Sequence, residues 1–179
     1  MLKSIALIVT SAALAVFTTA HAQTSDAAAA PNDAQVAMIA VVADTVDVDT
    51  GRMAAKMATN KEVKAFAETM VRDHTAVNAK ATALAKKLGV TPEASETSKS
   101  LKSSGDKEMA KLEGMSGAEF DKAYVDNEVG YHEAVIGVLD KTLIPNTKNA
   151  ELKSLLESAR PIFTSHLEHA KQLQKSLSK

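Results

Sequence analysis

The sequence predicts an all-α protein: four long helices in one bundle, with a long crossover between the second and the third that carries a short extra helix. Three observations lead there. Apolar residues recur at steps of three and four along four separate stretches, the one-sided stripe of a helix facing a core. The composition is 45% hydrophobic yet only 3% aromatic, which suits helices packed at close range through Ala, Leu and Val. The punctuation is uneven, with tight turn signals at Thr59-Asn60 and Pro145-Asn146 but a polar, Ser-rich stretch across 90–116. Short links join antiparallel neighbours, whereas a long polar one has the reach to run the length of a bundle.

Residues 1–22 stand apart. Lys3 gives a positive start, Ile5 to Phe17 an apolar run, and Ala20-His21-Ala22 an A-x-A site, the signature of a secretory signal peptide cleaved after Ala22. The run is too short and too alanine-rich for a membrane span, and no second stretch approaches the roughly 20 apolar residues a span needs. The expectation is a soluble mature chain without a transmembrane span, in a bacterial periplasm, with outer-membrane association left open. Cysteine is absent, which in an exported chain removes disulfide frameworks, thiolate metal sites and cysteine nucleophiles. With 21 basic residues against 22 acidic ones, there is no electrostatic case for nucleic acid or anionic lipid.

Residues 23–32 read as a disordered lead-in, and 33–177 as a single helical domain. Asn32 or Asp33 caps a first helix at about 33–58, with Val36, Ile39, Val42, Val46, Met53 and Met57 inward. Gly51 within it marks a close helix contact or a slight bend. Asn60 opens a second helix, about 61–88, with Val63, Ala67, Met70, Val77, Ala81, Leu84 and Leu88 inward and Gly89 ending it. A short helix near 97–113 lies in the crossover. Ser116, with Glu119 in the capping-box position, starts a third long helix at about 117–143, closed by Pro145 and Asn146. The last helix, about 147–176, turns Leu152, Leu155, Ala159, Ile162, Leu173 and Leu177 inward, and Pro161 predicts a kink near Glu157.

Three of these helices place a histidine on the apolar stripe: His74, His132 and His166. A polar ring facing a core needs a partner. Counting back through the turn at 59–60 puts Asp44 and Asp47 of the first helix close to the level of His74. The crossover makes the second and third helices parallel, with His74 and His132 at nearly the same height. The stretches 66–77 and 124–135 also align without gaps, a faint repeat in which these two histidines correspond. Glu128 lies one turn before His132, on the same face. Histidines and carboxylates gathered inside a bundle are how carboxylate–histidine metal sites are built. The candidate ligands are Asp47, His74, Glu128, His132 and His166, and the candidate cofactor is a divalent transition metal: Zn, Fe or Cu. His166 is the awkward member, because reflecting His132 through a turn at 145–146 gives position 159 and leaves His166 roughly 10 Å away along the axis. A kink at Pro161 absorbs part of that, or His166 pairs with Glu128 or His169. The paired E-x-x-H motifs of a di-iron bundle are missing, which disfavours a di-iron oxidase.

The segments FAETMVRDHTAVNAKATALAKKLG, EFDKAYVDNEVGYHEAVIGVLD and ARPIFTSHLEHAKQL resemble a bacterial exported family of ferritin-like fold, a domain of unknown function whose members are often labelled outer-membrane or periplasmic proteins. The motifs M-V-x-D-H-T-x-x-N, F-D-x-x-Y-x-x-x-x-V-x-x-H and P-x-x-x-x-H-L carry the resemblance, which spans about residues 33–177. It implies a ferritin-like four-helix bundle and carries the family's histidines over to His74, His132 and His166. Asp47 stands where members usually show a first-helix Glu. The family brings no established activity.

Two functional readings of different class follow. One is a periplasmic, metal-binding ferritin-like protein serving envelope stress tolerance. The other is a non-catalytic structural or interaction module of the cell envelope, with structural core histidines and a second copy or an envelope protein as its partner. Nothing points to a classical enzyme: the chain has no Gly-rich phosphate loop, no G-x-S-x-G and no H-E-x-x-H. Imidazole nitrogens within about 5 Å of a common point favour metal, whose ligands sit ~2.0–2.1 Å away for Zn; separations of about 10 Å favour the structural reading.

Overall fold

The computed structural model describes residues 30–178. The expected signal peptide and residues 23–29 of the lead-in lie outside the described residues. Within them every regular element is helical, with α1 at Asp33–Met57, α2 at Lys61–Leu88 and α3 at Glu96–Glu113. The next helix, α4, begins as Gly117–Val138 and runs on through a π turn at Leu139–Leu143 into a last short segment at Ile144–Asn146. The final helix, α5, is Ala150–Leu177. No helix among the described residues is long and apolar enough to cross a membrane.

Local chemistry accounts for most of the ends. The Asn32 side chain accepts from Gln35 N at 2.9 Å while Gln35 accepts from Asn32 N at 3.1 Å, a closed capping box. Asn60 and Asn149 cap α2 and α5 without a reciprocal bond, each accepting from two of the first backbone amides. Gly89 closes α2 at φ 65°, in the left-handed region where a side chain would be strained. Ser116 departs from expectation: its backbone is extended as an N-cap requires, but its hydroxyl makes no capping bond. Exposed on the surface, the first amides of α4 have water for a partner.

The crossover sets the topology. Glu93 N donates to Ala34 O (3.0 Å) at the start of α1, and α3 then lies along α1 until Leu112 packs in the core beside Ala54. The chain is thereby returned to the α1–α2 turn before α4 begins, so α4 runs parallel to α2 and α5 comes back antiparallel to both. Two aspartates staple the ends of this arrangement. Asp121 at the start of α4 accepts from Thr59 N (3.0 Å), Asn60 N (2.8 Å) and Thr59 Oγ1 (2.6 Å). Asp33 at the start of α1 accepts from Lys148 N (2.8 Å) and Asn149 N (2.9 Å) in the α4–α5 turn.

Glycines allow the close contacts of α1. A Cβ on Gly51 would lie 3.1 Å from Ala67 O of α2, and one on Gly105 of α3 would lie 2.7 Å from Val46 Cγ1. These positions are approach sites, and Gly51 sits within an uninterrupted helix. On α5 the inward residues are Leu152, Leu156, Ala159, Phe163, Leu167, Ala170 and Leu173, with Leu155, Ile162 and Leu177 only partly buried. Likewise Val42, Val46, Met53 and Met57 of α1 are partly buried, because neighbours on several sides bury Ala37, Ala43, Val48 and Ala54 as well. Pro161 does not end α5; it is exposed, as is Glu157, whose carbonyl loses its partner and can be solvated.

The core has two apolar halves. One gathers Ile39, Ala43, Val77, Val135, Leu139, Leu156 and Phe163, and the other Ala54, Phe66, Met70, Tyr124, Val125 and Ala170. Each long helix passes from one half to the other across a polar layer, formed by Asp44 and Asp47 on α1, His74 on α2, Glu128 and His132 on α4, and His166 on α5. Burying so many polar groups in one slab demands that they satisfy one another or something else.

Candidate metal centre

The three imidazoles form a triangle. Ring centroids are 5.7 Å apart for His74 and His132, 5.0 Å for His74 and His166, and 5.6 Å for His132 and His166. Phe163 closes one side, its ring 4.8 Å from that of His74 and 5.8 Å from that of His132. Asp47 and Glu128 face the triangle from α1 and α4. One ligand-type atom from each histidine, and one each from Asp47, Glu128 and His132, form two groups whose members all lie within 4.8 Å of one another. His132 belongs to both groups, so the two adjoin one another.

Each histidine is anchored through one nitrogen and offers the other inward. His74 Nδ1 is held by Asp44 Oδ1 at 2.8 Å, His132 Nδ1 by the Glu128 carbonyl at 2.9 Å, and His166 Nε2 by Asp73 Oδ2 at 3.1 Å. An oxygen acceptor on one nitrogen fixes the tautomer and leaves the lone pair of the other facing in, as in the carboxylate–histidine pairs that orient metal ligands. The inward atoms are His74 Nε2, His132 Nε2 and His166 Nδ1.

Their spacing suits an ion. His74 Nε2 is 3.1 Å from His166 Nδ1 and 3.0 Å from Asp47 Oδ2, and Asp47 Oδ2 is 3.6 Å from His132 Nε2. Two donors ~2.0–2.1 Å from one ion and ~90–110° apart lie ~2.9–3.4 Å from each other. Both carboxylate oxygens of Asp47, both of Glu128, and His132 Nε2 are buried without a hydrogen-bond partner. The His74–Asp47 approach does not satisfy Asp47, because the His74 nitrogen aims at His166. A donor set of three imidazoles and two carboxylates, with no sulfur, fits a borderline divalent transition metal.

The electrostatics say where protons sit in the metal-free protein. Burial, reinforced by the charge of Glu128, pushes the Asp47 carboxyl well above the usual range. Burial also lifts Glu128 to about 7, with the neighbouring Asp47 and Tyr124 offsetting only part of it. Asp44 is raised by burial despite its bond to His74. His74 goes the other way from its fellows: burial lowers it, but the charge of Asp47 and the bond to Asp44 outweigh burial and hold it above the ordinary value. Burial, with repulsion from His74, takes His132 down to about 3. Burial takes His166 to about 4, against the support of Asp73. The shifts therefore favour protons on His74 and on the Asp47–Glu128 pair over His132 and His166.

All five sequence-nominated residues meet here, but the expected offset of His166 is wrong. The helix preceding it runs to Asn146 with Pro145 inside its last segment, and α5 begins only at Ala150, so the turn centres near 148 rather than 145–146. That moves the position opposite His132 to about 164. Side chains lean toward the N-terminus of their own helix, so rings on antiparallel helices meet when their backbones are a further residue or so apart on each side. Neither Glu128 nor His169 is the partner of His166. Glu128 belongs to His132, with Oε2 3.4 Å from its Nδ1, and His169 is exposed with its ring edge on Phe66. The partner is Asp73, which periodicity missed because it lies off the apolar stripe; the Asp73-His74 adjacency was the available signal. Asp126 lies on the surface with Lys122 and Gln174, while the Tyr131 hydroxyl donates to Ala43 O at 2.8 Å and ties α4 to α1.

No curated protein and no solved structure matches the chain. A family model does, over residues 18–173, and with most of its length covered the chain belongs to the family described as Domain of unknown function (DUF4142).

Proposed function

We propose that this is an exported ferritin-like bundle protein that binds one divalent transition metal ion through Asp47, His74, Glu128, His132 and His166. The observation that carries the reading is the gathering of buried polar atoms: three histidines anchored from behind with their other nitrogens turned toward one another, and beside them Asp47 and Glu128, whose carboxylate oxygens, like His132 Nε2, have no hydrogen-bond partner. A purely structural layer would leave His132 Nε2 and the two carboxyl groups of Asp47 and Glu128 unsatisfied, at about 1–3 kcal/mol for each group. Two antiparallel hairpins joined by a crossover along the bundle support the ferritin-like assignment. Among the ligands α5 contributes no carboxylate, which favours a single ion over a pair. The leader-like residues 1–22 support export, and with it a role in envelope stress tolerance.

The test is elemental analysis of protein recovered from a periplasmic fraction. One equivalent of Zn, Fe or Cu is expected, on a chain whose measured mass begins at Gln23; protein that carries no metal and takes up none of these ions defeats the reading. Loading should also release protons, from His74 and from the Asp47–Glu128 pair, whose pKa values are raised, because ligands must be deprotonated to bind. Affinity then falls as pH falls, by about tenfold per pH unit for each displaced proton. Calorimetry in buffers of different ionisation enthalpy measures the count, and a pH-independent affinity would contradict it.

A further inference from the structure

The centre is closed. His74, His132 and Asp47 have fully buried side chains, and that of Glu128 is 1% exposed. His166, whose side chain is 6% exposed, is bonded to a group that reaches solvent, namely Asp73 at 28%. The two nitrogens of His166 face opposite ways: Nδ1 meets His74 inside, and Nε2 meets the Asp73 carboxylate at the rim. That carboxylate is held from the water side by Arg72, whose Nε and NH2 group donate to it at 2.7 and 3.1 Å. Arg72 itself is 69% exposed, and an exposed pair of this kind is worth little. It can be displaced.

We propose that Asp73 and the outer nitrogen of His166 form a capture site through which a divalent cation enters and leaves the buried centre, with Arg72 as the exchangeable counter-ion that occupies the carboxylate in its absence. This rests on the metal-binding reading above. The Asp73 carboxylate attracts the cation and displaces the guanidinium, and a tautomer shift that carries the His166 proton from Nε2 to Nδ1 opens Nε2 to the outer contact. Rotation of the ring, or handing on past it, brings the cation to Nδ1 and the other inward donors. Asp73 is here a rim ligand as well as a positioning residue, and the two roles have different kinetic signatures. A residue that only orients His166 alters affinity. A residue that lowers the barrier to passage alters loading and release together and leaves affinity where it was.

The experiment uses the metal-free mature protein and Co(II) ion alone, followed by its visible absorption in a stopped-flow instrument at low salt, with release measured into excess chelator. In Asp73→Asn the amide oxygen still accepts from His166 Nε2, so orientation is kept while the charge is lost. Expected is about tenfold slower loading with release slowed by a similar factor, an unchanged stoichiometry, and a weaker salt dependence than in the parent protein. Arg72→Ala should load faster than the parent. Asp73→Asn loading at the parental rate overturns the proposal, and so does weakened affinity produced by faster release alone, which assigns Asp73 to orientation only. A parent protein that binds no Co(II), Zn(II) or Fe(II) at all overturns the metal reading itself, so the two failures are told apart.

Discussion

His74→Ala protein will hold no metal above background and will unfold at a markedly lower urea concentration than its parent. His74 is the most connected group of the polar layer. It meets Asp44 at 2.8 Å, Asp47 at 3.0 Å and His166 at 3.1 Å, with no solvent exposure. Truncation strips Asp44 of its partner while Asp44 stays 2% exposed, and it opens a cavity next to Phe163. Breaking a buried pair by removing one member costs about 3–5 kcal/mol, since the remaining charge has nowhere to go. The informative companion is Glu128→Gln. It also removes a ligand, but it replaces a buried carboxyl that has no partner for either oxygen by a neutral group of the same shape. That protein should lose metal affinity yet keep its metal-free stability or gain a little. If the histidine change left both the metal content and the unfolding midpoint untouched, neither a ligand nor a structural role could stand for His74.

The second large effect lies far from the centre. Asp121→Ala should destabilise by about 3–5 kcal/mol, because a carboxylate accepting several hydrogen bonds is removed from beneath a turn whose donors have no other acceptor in the protein. Asp121 is 2% exposed and binds two backbone amides and a hydroxyl of Thr59-Asn60. Asp33→Ala removes two bonds at a more exposed site and should cost less, about 1–2 kcal/mol. Metal stoichiometry should survive both changes, since neither aspartate touches the polar layer. Urea titrations of the metal-free proteins, with a parallel metal count, separate these outcomes from a local role at the centre; equal losses at the two aspartates would show that burial is not what sets their worth.

Helix number, the crossover and the inward histidines were legible because each is a local property. A period near 3.6, an asparagine before a run, a glycine after one, and a proline-and-serine stretch all act within a few residues of where they stand. For the same reason the sequence could nominate Asp47, His74, Glu128, His132 and His166 without knowing that they meet. Only the tertiary structure decided their heights and directions. The height of His166 follows from how far α4 runs on through its π turn past Pro145, and from where Asp33 pins Lys148 and Asn149 across 115 and 116 residues of chain. Which nitrogen of each imidazole looks inward is set by Asp44, the Glu128 carbonyl and Asp73, and two of those three acceptors come from other helices. Asp73 shows the limit most plainly. It is polar, off the stripe and half-buried, ordinary in every local respect, and it gains a role only because α5 brings a histidine against it. Periodicity tells which way a side chain points from its own axis, while the packing of one helix on another settles what it meets.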